Sequence, residues 1–216
     1  MRSTSTPGRS PHRPAREDAS TIAAQPRTAT GSSANSSSRR SEAARLAVLN
    51  AADDLLVEHG FEGLTIEGIA AAAGVAKQTI YRWWKSKVDI LFDNLVLDAG
   101  SGLVWPTDPA DPADLRSYIH RFAGFLGDDP AGRVLQALLG HAQLDPRTAE
   151  LLHTGFLDEL RARDIAHTRA ALGVSEDEAA VLLDALLAPL YHRALVLRRP
   201  LDTAFVDELL DQHLPR

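Results

Sequence analysis

The chain has 216 residues, is 44% hydrophobic and 24% charged, and carries a formal charge of −6, so it has the length for one large or two small domains and the apolar content for a packed core. It contains no cysteine, which excludes disulfides, thiol catalysis and thiolate metal sites and fits a reducing compartment such as the cytoplasm; no apolar run approaches the ~20 residues that span a bilayer. The bulk charge argues against a nucleic-acid partner, but its distribution does not, because all three lysines, Lys77, Lys85 and Lys87, fall with Arg82 inside an acid-free window at 74–87 while the flanking stretches 41–73 and 88–216 are acidic. Such an island is either a phosphate-facing surface or a solvated basic helix face, and charge alone does not choose between them.

Residues 1–40 are rich in Ser, Thr, Pro and Arg and poor in large apolar side chains. They read as a disordered basic tail, able to add non-specific DNA affinity or to be inert; charge without an apolar h-region does not read as a secretory signal. From Ser41 the pattern is helical, with Val48, Ala52, Leu55 and Leu56 on one stripe, and the helix is expected to stop at His59, where Gly60 can take positive φ. Thr65 suits the N-cap of a second helix with Ile66, Ile69, Ala70 and Ala73 inward. Gly74 suits a tight turn, a third helix runs from Ala76 to about Trp84, and Ser86 with Asp89 opens a fourth.

Past Gly102 the Pro- and Asp-rich segment LVWPTDPADPAD reads as a break or hinge. Beyond it the pattern predicts only helices: Pro112–Gly127 capped by Asp111, Pro130–Leu144 capped by Asp129, Pro146–Leu172 opened by Asp145 and ended by Gly173, Ser175–Leu197 with a Ser175/Glu178 capping box, and Leu201–His213. Pro189 is expected to kink the fourth of these.

Residues 65–84 meet the requirements of a helix-turn-helix: two short helices, a Gly-containing turn, and a second helix with a polar outer face. Ile80 and Trp84 should join Val75 in the core, which turns Lys77, Gln78, Thr79, Arg82 and Trp83 outward. Lys77, Gln78 and Thr79 stand where a recognition helix meets base edges, and their side chains suit guanine acceptors, adenine and the thymine methyl respectively. Tyr81 and Lys87 suit phosphate contacts, as does Thr65 at a helix N-terminus. No metal or cofactor site and no catalytic constellation is expected. No two of the eight histidines stand three or four apart, and there is no phosphate loop, nucleophile elbow or zincin motif.

Residues 45–91, from Arg45-Leu46 through Ala51-Ala52, Gly60-Phe61, Thr65, Ile69-Ala70, Ala73-Gly74-Val75 and Thr79-Ile80-Tyr81 to Lys87, resemble the N-terminal DNA-binding domain of the TetR (tetracycline-repressor) family. Two departures stand out. Ala76 replaces the usual Ser at the cap of the recognition helix, and Trp84 replaces a Phe; Trp83 occupies a place often held by a DNA-contacting His or Tyr. The resemblance implies an all-α fold: residues 41–87 as the DNA-binding domain and 88–216 as a helical regulatory and dimerisation domain. It further implies a cytoplasmic, non-enzymatic, ligand-responsive repressor of a palindromic double-stranded operator. The homodimer would form through helices 175–197 and 201–213, using the stripe Val181, Leu182, Ala185, Leu186, Pro189 and Leu190. An unknown small-molecule effector would sit among helices 112–172, for which Phe122, Phe125, His141, His153 and Phe156 are first candidates, although each reads more readily as core or surface and no effector residue is assigned. An effector-free DNA-binding or architectural protein is the alternative, and an all-helical enzyme a more distant one.

Overall fold

A computed structural model of the chain describes residues 32–106 and 111–214, all helix and connection with no strand among them. Most of the expected tail, residues 1–31, lies outside the described residues. The rest of it is helical: α1 runs Ser32–Gly63, nine residues ahead of the expected start at Ser41, because extending an existing helix costs far less than nucleating one. Gly60 interrupts α1 with φ 69 and ψ 177. The φ is the positive one expected, but the ψ is extended rather than left-handed, and Phe61–Gly63 form one more turn before the chain leaves.

α2 (Ile66–Ala73) is capped by Thr65, whose side chain accepts from the Gly68 amide, and ends at Gly74 with φ 66 and ψ 30. α3 spans Lys77–Tyr81 only, so Trp83 and Trp84, expected inside this helix, lie in the turn after it. α4 (Lys87–Gly102) starts at Ser86, which accepts from the Asp89 amide. Val48, Ala52, Ile69, Ile80 and Ile90 are fully buried, so three helix stripes and the front of α4 close over one small core. That core runs on without a break: Leu91, Leu95, Ala99 and Leu103 of α4 and its end are buried in the same cluster as the helices that follow.

α5 (Pro112–Asp128), α6 (Pro130–Ala142) and α7 (Pro146–Leu152) each open on an Asp cap with Pro at the first turn, an arrangement that spends no amide on the missing Pro N–H. α7 passes through a π-helical turn, His153–Leu157, into α8 (Asp158–Leu172), which Gly173 ends at φ 67. α9 (Glu176–Tyr191) carries the Ser175/Glu178 capping box, contains Pro189, and loosens into a second π turn, His192–Val196. α10 is Thr203–His213, capped by Asp202.

Within the helical residues Glu176–Val196 an 18-residue window reaches a mean hydropathy of 1.4, a length and composition that could cross a membrane and that the core helix of a soluble protein also meets; Asp184 and Arg193 interrupt its apolar run. The stripe on this helix is divided. Leu186 and Leu190 are buried in the chain's own core, Leu182, Ala185 and Pro189 are half-buried, and Val181 is 70% exposed.

Two contacts fix the helical body. At Gly132 of α6 a Cβ would stand 1.7 Å from the Phe125 carbonyl oxygen, so α5 and α6 touch backbone to backbone. Asp164 of α8, 2% exposed, accepts from Tyr118 Oη at 2.6 Å, Trp105 Nε1 at 3.1 Å and Arg163 Nη2 at 3.1 Å. Burial pushes its carboxyl above the ordinary range, while the bonds from Tyr118 and Trp105 and the Arg163 charge work against that. The cluster ties the α4–α5 connection to α8, and its donors are what make a carboxylate tolerable at that depth.

Candidate nucleic-acid interface and the adjoining cavity

α3 is held from behind. Ile80 and Trp84 are 0% and 3% exposed, Val75 packs against the same core, and Trp84 Nε1 donates to Asp93 Oδ2 at 2.8 Å, an oxygen shared with Arg45 Nη2 at 2.9 Å. This lock rotates the other side of α3 outward: Lys77, Gln78, Tyr81 and Arg82 are exposed and Thr79 is half-buried. Trp83 is half-buried against the core, edge-on to Trp84 at 5.4 Å, with the Arg82 guanidinium 4.9 Å from its ring.

The front of α3 has no cap. Ala76 is extended at φ −72 and ψ 142, with no side-chain bond to the first amides. In its place, Lys77 Nζ reaches back to Glu67 Oε1 of α2 at 2.7 Å. Glu67 was not among the residues the sequence pointed to. A pairing ten residues apart depends on how two helices cross, which periodicity does not reveal.

Two of the expected phosphate ligands are engaged within the protein. Thr65 Oγ1 accepts from the Gly68 amide at 3.0 Å. Lys87 Nζ donates to the Phe61 carbonyl at 2.5 Å and lies 4.2 Å from the Phe61 ring. The same ring lies 4.5 Å from the His141 ring of α6, tilted by 35° to it.

Phe61 is also part of a cavity wall. A cavity of about 1410 Å³ opens between the base of α1 and the helical body, lined by Leu56, Gly60 and Phe61 of α1, Phe122 of α5, Gln136 of α6, Leu160 of α8, and Leu183, Leu187 and Tyr191 of α9. Both π turns contribute, through His153 and Leu157 and through Ala194 and Leu195; such turns recur at functional sites. Asp164 forms part of the wall, and its charge together with burial raises the Tyr191 hydroxyl above its ordinary range, burial being the larger cause. Arg161 and Asp184 pair across the wall at 2.5 and 3.0 Å. Of the five candidates for a pocket, Phe122 and His153 line it, His141 touches the Phe61 ring, Phe125 is buried in the core, and Phe156 is half-buried against it. Among the described residues no group of three or more His, Asp or Glu side chains is placed to hold a metal.

Residues 48–93 match the family model of bacterial regulatory proteins, tetR family, and residues 112–213 match the tetracyclin repressor-like C-terminal domain. The chain is 30% identical over 175 residues to the uncharacterized HTH-type transcriptional regulator YdeS of Bacillus subtilis, covering 79% of this chain and 88% of that one. It is 30% identical over 154 residues to the HTH-type transcriptional repressor SCO4008 of Streptomyces coelicolor, covering 70% and 73%. Among solved structures, the TetR family transcription regulator SCO0332 superposes with a TM-score of 0.61 at 34% identity, over 80% of this chain and 99% of that one.

Proposed function

The chain belongs to the TetR family of bacterial regulatory proteins and is a DNA-binding transcriptional regulator, and on that premise we propose that it is a cytoplasmic repressor that leaves its operator when a small molecule fills the cavity at the base of α1. The observation that carries the proposal is the composition of the cavity wall: Leu56, Gly60 and Phe61 belong to the helix that opens the DNA-binding unit. A ligand there touches both halves of the protein at once, and differential contact with two arrangements of those halves is what a coupling free energy requires. The same cavity favours a ligand-responsive regulator over an effector-free one.

In this reading Lys77, Gln78 and Thr79 face base edges, while Thr65, Tyr81, Arg82, Trp83 and Lys87 serve the backbone and the flank of the interface. The operator is a palindrome whose half-sites lie about 34–36 Å apart, matched by a homodimer. The dimer forms through α9 with its π turn and α10, where Val181, Val196 and Leu197 are 70%, 68% and 46% exposed. These exposed apolar side chains on α9, in its π turn and just past it are the surface that supports the reading.

The test is a gel shift at physiological salt with the upstream region of the protein's own gene and random DNA of equal length. Preference for the former is expected, and equal binding overturns the reading. Gln78→Ala should relax sequence preference, whereas Lys87→Ala should weaken both duplexes alike and flatten the salt dependence.

A further inference from the structure

The ion pair between Lys77 and Glu67 sits on the outward face of the helix-turn-helix, where a carboxylate is out of keeping with a polyanionic partner. Glu67 is the single acid in the sequence of α2, and its side chain and that of Lys77 are 60% and 52% exposed. The Lys77 ammonium holds the Glu67 carboxyl below its usual range, chiefly through their hydrogen bond. Across the connection, α3 has five residues and an Ala at its cap, so no side chain fixes its first turn from within. Among the described residues, the contact with Glu67 is the polar tie of the Lys77 side chain to another helix.

We infer that Glu67 is a positioning and specificity-determining residue of the DNA interface: it holds Lys77 across the front of the uncapped α3 so that the ammonium meets a base edge in one orientation, and it withholds that charge from the phosphates. The inference rests on the reading of Lys77 as a base contact. Two consequences separate it from a bystander role. A lysine held by a carboxylate displaces no counterion of its own on random DNA, where no base edge competes for it. Releasing it adds a free cation, which strengthens sequence-independent binding and steepens its salt dependence. The freed side chain reaches phosphates in many orientations, so the ratio of specific to random binding falls.

The experiment uses the full chain and fluorescence-labelled duplexes, one from the upstream region of its own gene and one random, titrated across a range of salt. Glu67→Ala should tighten binding to the random duplex about fivefold, steepen the slope of log K against log[salt] by about 0.9 and lower the specificity ratio at least about fivefold. In a Lys77→Ala background the same Glu67→Ala change should alter the ratio less than about twofold, since the residue acts through Lys77. A ratio unchanged by Glu67→Ala while Lys77→Ala lowers it overturns the inference and leaves the Lys77 contact standing. An equal fall in both backgrounds also overturns it. A ratio indifferent to Lys77→Ala overturns both. Both side chains being exposed, thermal melting of the variants should match that of the parent; a lowered melting point on Glu67→Ala with an unchanged ratio assigns the pair to stability alone and refutes the inference.

Discussion

Asp53 lies on the inner half of α1, where its Oδ1 is enclosed without a hydrogen-bond partner. Burial raises its pKa from 3.8 to about 6; a hydrogen bond with Asn94 works against the rise, and the carboxylates of Asp98, Asp54 and Asp129 add to it. Asp98 is itself pushed upward by burial and by Asp129. A raised carboxyl pKa means that the fold retains a proton that the unfolded chain releases. The contribution is therefore fully present below about pH 4, is lost as pH climbs from about 4 to about 6, and stays lost above. The gap between 3.8 and about 6 sets a ceiling of about 3 kcal/mol, which solvent screening of this half-buried group reduces to about 1–2 kcal/mol. Asp53→Asn removes the charge at every pH. The variant should gain about 1–2 kcal/mol over the parent at about pH 7.5, or roughly 3–6 °C in melting temperature for a chain of this size, and little at about pH 4.5. Differential scanning calorimetry at the two pH values reads this directly. An equal gain at both, or a loss at the higher pH, would refute the assignment of the strain to ionised Asp53.

Three other changes test the framework. Ala76→Ser supplies the missing cap of α3 and should raise stability by about 1 kcal/mol, seen as a higher thermal midpoint; no gain would mean that α3 is already fixed from outside. Gly132→Ala places a methyl 1.7 Å from the Phe125 carbonyl oxygen, a clash between backbones that no rotamer relieves, so the variant should lose about 3 kcal/mol or more and accumulate as insoluble protein. Tyr118→Phe deprives buried Asp164 of its 2.6 Å donor and should cost about 1–3 kcal/mol in a urea melt.

The features legible in the sequence are those settled within a few residues of chain. Asp111, Asp129, Asp145 and Ser175 each cap the helix expected of them, because a cap is a bond between a side chain and an amide two or three positions on. Ile80 and Trp84 are buried as their spacing required, and that rotation alone exposes Lys77 and Gln78. What was not legible depends on how helices meet. Glu67 finds Lys77, Lys87 finds the Phe61 carbonyl, and Trp105, Tyr118 and Arg163 find Asp164 only once crossing angles are set. The π turns His153–Leu157 and His192–Val196 lie at Gly155 and just past Pro189, but a Gly or Pro in a helical pattern signals a kink or an end and does not specify a π turn. The early start of α1 at Ser32 was missed because a Ser-rich segment has poor helix propensity by itself, a preference that an adjoining helix overrides.

Phe61 shows what it means for one side chain to serve two tasks. Its ring bounds the cavity, and its carbonyl and ring together hold the ammonium of Lys87. If the cavity takes the effector and Lys87 meets DNA, as proposed, any heritable change that reshapes the cavity at this point to admit a different molecule also alters how firmly Lys87 is withheld from DNA. Under the proposed function, chemical repertoire and baseline repression are thus inherited as one trait, while cavity-lining positions such as Leu183 and Leu187, remote in sequence from the DNA-binding unit, can drift in response to new compounds and leave the resting level of gene expression alone. Lineages that acquire new inducers should accordingly vary at the cavity-lining positions of α9 and spare the end of α1.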